Sequence, residues 1–219
     1  LDKNEQKSLT SNIKALTIWK LSSLLVNNTD NIIITYFSGL ATVGISSNYT
    51  LLSNTLNSLL NQIFNGISAS VGNYNAIESN EKKIKLFNNI NLLNFWLFGW
   101  ATVGIIVLSG DIVKLCFGEN YVLPFNIPCI IGINFYMVGM QNAVWTYKNT
   151  MGLFRQGRYL LIVTAILNLV FSILLGSEWG LFGILLATSI SRLLTNTWYD
   201  PYVVFKYGLN TSPKIYLKK

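Results

Sequence analysis

The sequence predicts an all-α integral membrane protein, a single bundle of six transmembrane helices over residues 1–219. Three observations carry that prediction. First, 51% of the residues are apolar and 11% charged, with a mean hydropathy of +0.42, a balance that is rare in soluble domains. Second, the apolar residues gather in runs of about 20, the length that crosses a hydrocarbon core as helix. Third, the basic residues fall on alternate connectors between those runs, as the positive-inside rule requires. The runs place helices near 13–38, 43–72, 86–109, 123–147, 159–175 and 180–205.

The first helix carries Lys20, Ser23, Asn27, Asp30, Asn31 and Thr35 at near three-four spacing. A carboxylate at Asp30, well inside the apolar run, is costly unless paired, protonated or hydrated. It reads either as an ion-coupling or substrate-contacting group or as a structural partner to a neighbouring Lys, Asn or backbone group. The second helix repeats Ser47, Thr50, Asn54, Asn57, Asn61, Asn65 and Ser68 at intervals of three and four. At 100° per residue they form one polar stripe, with Leu51, Leu52, Leu56, Leu59, Leu60, Ile63 and Ile67 over much of the rest. Such a stripe fits a wet cavity, or else interhelical hydrogen bonds; its length favours the cavity.

In the third helix Gly99 and Gly104 read as close-packing positions, and Trp96 and Trp100 as interfacial or packing aromatics. The same reading covers Trp179, Trp198 and Tyr199. The sixth helix carries Arg192, which either faces the cavity or snorkels to the interface beside Trp198 and Tyr199. Connectors 38–42 and 176–179 are too short for a domain, and 110–122 reads as a modest loop.

Topology follows from the charges. Lys3, Lys7 and Lys14, then Lys82, Lys83 and Lys85, then Lys148, Arg155 and Arg158, then Lys206, Lys214, Lys218 and Lys219 share one side. The other side offers Lys114 against Asp111, Glu119 and Glu178. Both ends are therefore expected in the cytoplasm, which requires an even number of crossings. Topogenesis also explains the formal charge of +7, so no nucleic-acid partner is expected.

Chemistry is sparse. Histidine is absent, which excludes histidine acid–base catalysis, histidine metal sites and Ser-His-Asp triads on this chain. Cys116 and Cys129 are too few and too far apart for a C-x-x-C or a structural metal motif, and read as unpaired thiols. There is no phosphate-cradling G-x-x-x-x-G-K-[ST] and no G-x-G-x-x-G. No enzyme activity, cofactor or metal is expected. The chain opens on Leu1 and a polar, lysine-containing stretch without a cleavable signal, and is read as part of a longer protein.

Certain words then carry a resemblance: Thr29-Asp30-Asn31-Ile32-Ile33-Ile34, Gly39, Val43-Gly44, Ser47-Asn48-Tyr49 and Ala69-Ser70-Val71-Gly72-Asn73. Later words are Gly118-Glu119-Asn120-Tyr121, Thr146-Tyr147-Lys148, Met151-Gly152-Leu153-Phe154, Arg158-Tyr159, Asp200-Pro201-Tyr202 and Lys206-Tyr207-Gly208. Across nearly its whole length the chain resembles the second half of bacterial polysaccharide flippases of the Wzx or O-antigen transporter type. Ser46 departs from the pattern, where relatives often carry Tyr. The resemblance implies the C-terminal lobe of a two-lobe exporter in the multidrug/oligosaccharidyl-lipid/polysaccharide superfamily, in the cytoplasmic membrane. The implied cargo is a polyprenyl-diphosphate-linked oligosaccharide, and the implied partners are membrane lipid and an N-terminal lobe.

A hydrated path for such a cargo needs hydrogen-bonding side chains and a cation near the diphosphate. The path candidates are Asn27, Asp30, Asn31, Asn54, Asn57, Asn61 and Arg192. Lys148, Arg155 and Arg158 are candidate cytoplasmic phosphate contacts, explained equally well as topogenic charges. Two other readings stay open. An ion-coupled multidrug antiporter would share the fold and also use Asp30. A membrane-embedded polysaccharide polymerase would need a sizeable outward loop with catalytic charges.

Overall fold

A computed structural model describes residues 10, 13, 17, 20, 29–154, 156, 157, 159–213 and 216. Among them the secondary structure is helical throughout. Residues 29–38 form the described part of α1. There follow α2 (Leu40–Ile77), α3 (Asn80–Phe117), a 3-10 turn (Glu119–Tyr121), α4 (Asn126–Gly139), α5 (Asn142–Thr150), α6 (Leu160–Leu194) and α7 (Asn196–Val203), with a π turn at Val204–Gly208.

The helices overrun the apolar runs that announced them. α2 and α3 are 38 residues each, ~57 Å at 1.5 Å per residue. Hydropathy marks the part of a helix that lipid tolerates, whereas backbone hydrogen bonding continues into polar residues until something stops it. Thus α3 runs through Gly110 to Phe117, within the stretch read as loop, and stops at Gly118, whose φ of 99° suits a residue without Cβ. The run 123–147 becomes two helices. Buried Asn94 donates its side-chain amide to the Gly139 carbonyl at 2.9 Å, and the Gln141 N–H turns back to Val138 O at 3.1 Å. That tight turn separates α4 from α5.

α6 is a hairpin rather than one rod. Gly180 takes φ 53° and ψ −133° inside it. Asn168 Nδ2 donates to Thr188 Oγ1 at 3.0 Å, and Thr164 Oγ1 donates to Thr195 Oγ1 at 2.8 Å. Partners 20 and 31 residues apart would stand ~30 Å and ~46 Å apart on a straight helix, so the arms 160–179 and 181–194 are antiparallel. The second arm ends at Thr195, and α7 then carries Pro201, which has no N–H for the ladder.

At one end of the bundle lie Gly39, the segment 118–125 and Gly180. A Cβ on Gly180 would stand 3.3 Å from Ser38 Oγ, so the α1–α2 corner abuts the hairpin tip. At the other end Tyr147 Oη donates to Lys83 O at 3.0 Å and Asn75 Nδ2 donates to Thr150 Oγ1 at 3.1 Å.

The bundle has an apolar exterior around a core that mixes Phe87, Phe98 and Ile184 with polar side chains. Asn94, Asn168, Ser172 and Ser191 are buried, while Trp96, Trp100, Val103 and Val107 lie exposed along α3 and Ile162, Ile166, Leu169 and Ile173 along the first arm of α6. Among the described residues, three helical stretches are long and apolar enough to cross a membrane: Asn80–Phe117, Asn126–Thr150 and Leu160–Gly208. This architecture is compatible with a multi-pass membrane protein, in which lipid covers the apolar exterior.

Candidate functional site

A cavity of about 610 Å³ opens among α1, α2, α4, α5, α6 and α7. That volume lies in the range of small-molecule sites, ~300–1,000 Å³. α1 contributes Asp30, Asn31 and Ile34, the last two positions one helical turn apart. α2 contributes Ser46, Thr50, Ser53, Asn54 and Asn57, all within one sector of the helix. α5 contributes Gln141 from its N-cap, Trp145 and Lys148, spaced four and three, and α7 contributes Asn196, Thr197 and Asp200. Asn134 on α4 and Thr188 and Arg192 on the second arm of α6 complete the polar lining.

Six side-chain amides therefore face one space: Asn31, Asn54, Asn57, Asn134, Gln141 and Asn196. Each amide offers both donors and acceptors, the complement of a ligand rich in hydroxyls. Several are held by hydrogen bonds. Asn134 Nδ2 donates to Leu185 O at 2.9 Å while its Oδ1 accepts from Ser189 Oγ at 3.0 Å. Gln141 Nε2 donates to Asn196 O at 3.3 Å and ties α5 to α7.

Four charged side chains line the cavity, and they are arranged in two ways. Lys148 Nζ lies 2.6 Å from Asp200 Oδ1, with both side chains largely buried, and Trp145 Nε1 makes a long 3.4 Å hydrogen bond to Asp200 Oδ2. Asp30 and Arg192 share the cavity wall without forming a direct ion pair. Asp30 Oδ2 accepts from Thr188 Oγ1 at 3.0 Å, and its Oδ1 is buried without a partner among the described residues. The Arg192 guanidinium makes no hydrogen bond or ion pair with any described residue.

Of the sequence candidates, Asp30, Asn31, Asn54, Asn57, Arg192 and Lys148 come together at this cavity. Asn61 does not line it; its amide donates to Asn57 Oδ1 at 3.2 Å. The α2 stripe meets the cavity only in its first half and is offset, with Ser46 on the lining in place of Ser47. Asn27, Arg155 and Arg158 lie outside the described residues. Sequence reasoning missed Asp200, Trp145, Asn134, Gln141, Thr188 and Asn196. The spacing of Gln141, Trp145 and Lys148 was a usable signal, since positions i, i+4 and i+7 share a helix face.

No protein-family model, curated protein or solved structure matches the chain.

Proposed function

We propose that this chain forms one lobe of a transporter that carries a lipid-diphosphate-linked oligosaccharide across the cytoplasmic membrane for cell-surface polysaccharide synthesis. The observation that carries this reading is the cavity, where six amides, several hydroxyls and a guanidinium unpaired among the described residues line a space inside a bundle of apolar exterior. Hydroxyl-rich sugar satisfies the amides, a diphosphate satisfies Arg192, and the polyprenyl tail stays in lipid. The sequence resemblance to polysaccharide flippases supports the same cargo and implies a second lobe opposite the cavity.

The reading includes six crossings: α1, α2, α3, α4 with α5, and the two arms of α6. α2 has too little apolarity to register by composition because its cavity face is polar, yet it packs against α3, α4 and α5, which are apolar enough to span. The charge distribution supports cytoplasmic termini. Lys82, Lys83 and Lys85 open α3, while its other end carries Lys114, paired with Glu119 at 2.6 Å, so the lysines concentrate at the start of α3. Outward connections at Gly39, 118–125 and Gly180 leave no room for a catalytic domain, which favours a transporter over a polymerase.

The test uses the complete gene product in proteoliposomes loaded with polyprenyl-diphosphate oligosaccharide, read by lectin capture of sugar at the outer leaflet. The expected result is protein-dependent capture that falls about tenfold in an Asn54→Leu/Asn57→Leu variant, in which two hydrogen-bonding partners are lost. Capture no faster than in protein-free vesicles overturns the reading. Asp30, a carboxylate on the cavity wall, is the observation that keeps an ion-coupled drug antiporter as the second reading; efflux of a cationic dye from the same vesicles identifies it.

A further inference from the structure

We propose that Trp145 is a stacking platform for one pyranose ring of the cargo, held in place by Asp200, and that it sets the preference for sugar-bearing over bare lipid. This inference rests on the glycan-transport reading and assigns a subsite within it. Three features carry it.

Trp145 lies on the cavity wall and is partly exposed there. The polar edge of its ring is already occupied, since Nε1 is directed at Asp200 Oδ2. What the indole offers a ligand is therefore its π face. That face carries the negative part of the aromatic quadrupole, which attracts the weakly positive C–H groups on one side of a pyranose.

The platform is fixed from behind. Asp200 is 5% exposed and spends one carboxylate oxygen on Lys148 and the other on Trp145. Lys148 neutralises the carboxylate, so no net charge accompanies the aromatic surface. A charge-neutral aromatic surface suits an uncharged sugar and gives a diphosphate no anchor; among the described residues the free cation of the cavity is Arg192 instead.

The platform is also flanked by the groups a stacked sugar needs at its rim. Gln141 lies one turn before Trp145 on the same helix face, and Asn196, whose carbonyl accepts from Gln141 Nε2, and Thr197 line the same cavity from α7. Hydroxyls around the ring edge then have amide and hydroxyl partners while the ring itself covers the indole.

The experiment measures equilibrium binding to the complete gene product in nanodiscs. Two probes are used, a long-chain polyprenyl diphosphate carrying one N-acetylglucosamine and the same polyprenyl diphosphate without sugar. The readout is the ratio of the two affinities in wild type, Trp145→Phe and Trp145→Leu. The expected result is a ratio that falls about tenfold in Trp145→Leu and by less in Trp145→Phe, with affinity for the bare lipid unchanged. A ratio equal to wild type in both variants overturns the platform and leaves the transport reading standing. If Trp145→Leu no longer binds the bare lipid, the ratio in Trp145→Phe decides alone. A wild-type protein that binds neither lipid defeats the transport reading and this subsite with it, and one that binds both equally overturns the subsite alone.

Discussion

Lys148 and Asp200 stand 52 residues apart in sequence and 2.6 Å apart in space, as an ion pair with 14% and 5% of the side chains exposed. The pair fastens α5 to α7 at the cavity wall. Desolvating two charges is costly, and their mutual attraction together with the Trp145 hydrogen bond offsets much of that cost. The expected behaviour is asymmetric. Asp200→Leu leaves a buried ammonium without its counter-charge and should cost about 3 kcal/mol, whereas Lys148→Met combined with Asp200→Leu should recover most of the loss. Denaturant unfolding of the four species of this double-mutant cycle measures it. Additive single and double effects would mean that the two side chains are independent.

Glycine geometry at the hairpin gives a sharper stability prediction. A Cβ on Gly183 would stand 2.0 Å from the Leu175 carbonyl oxygen, a backbone atom of the facing arm that no rotamer change can move. Gly183→Ala should therefore pry the arms of α6 apart and lower the unfolding midpoint sharply, by an amount typical of core overpacking, about 1–3 kcal/mol or more. Gly66, helical and with nothing within 4 Å of the place a methyl would take, is the control. Gly66→Ala should be neutral or stabilising by about 0.5–1 kcal/mol. Equal effects at the two positions would contradict the close approach of the arms.

Much of this arrangement is readable in the sequence, and the rest is hidden for physical causes. The polar stripe of α2 and the isolated Asp30 and Arg192 stand out because lipid penalises such residues, so their presence needs a reason. Helix ends are misplaced by hydropathy because it reports lipid contact rather than hydrogen bonding: α3 continues past Gly110 although its apolar run ends there. The break between α4 and α5 depends on Asn94, 45 residues from Gly139, and no local pattern shows it. Asp200 escapes notice for a similar reason, since next to Pro201 it looks like a helix-end residue until the fold brings Lys148 to it. Likewise the Asp30–Thr188 bond joins residues 158 apart, a pairing that only the doubling back at Gly180 creates.

Sidedness is checked with cysteine labelling. Cys116 is exposed at the end of α3 beside Gly118, the end opposite Lys83. In a Cys129→Ser background, Cys116 should react with a membrane-impermeant maleimide added outside, as should Glu178→Cys in a Cys116→Ser/Cys129→Ser background. In a Cys116→Ser/Cys129→Ser background, Lys83→Cys should react only after the membrane is opened. The basis is the concentration of Lys residues at the start of α3 against the single Lys114 near its end. Labelling of Lys83→Cys and Glu178→Cys from the same face would overturn the even-crossing topology.

The last prediction concerns Arg192 and Asp30, which share the cavity wall without a direct contact. Arg192 has no hydrogen-bond partner among the described residues, so its five donors are available to a phosphate that it can grip with two parallel bonds. Replacing it with Gln removes both the charge and that geometry, and transport of a diphosphate-linked cargo should fall about tenfold or more. Arg192→Lys keeps the charge as a point without the planar fork and should lie between the two. Asp30 acts in the opposite sense. Its carboxylate is like-charged with the ligand and weakens the positive potential that Arg192 projects, so Asp30→Asn should bind bare polyprenyl diphosphate a few-fold more tightly. The four proteins are compared at matched membrane abundance for lipid affinity in nanodiscs and for lectin-detected translocation in vesicles. Wild-type affinity and rate in Arg192→Gln would show that the guanidinium serves the bundle and not the cargo. Weaker binding in Asp30→Asn would reverse the sign assigned to the carboxylate and make it a contact that the ligand needs.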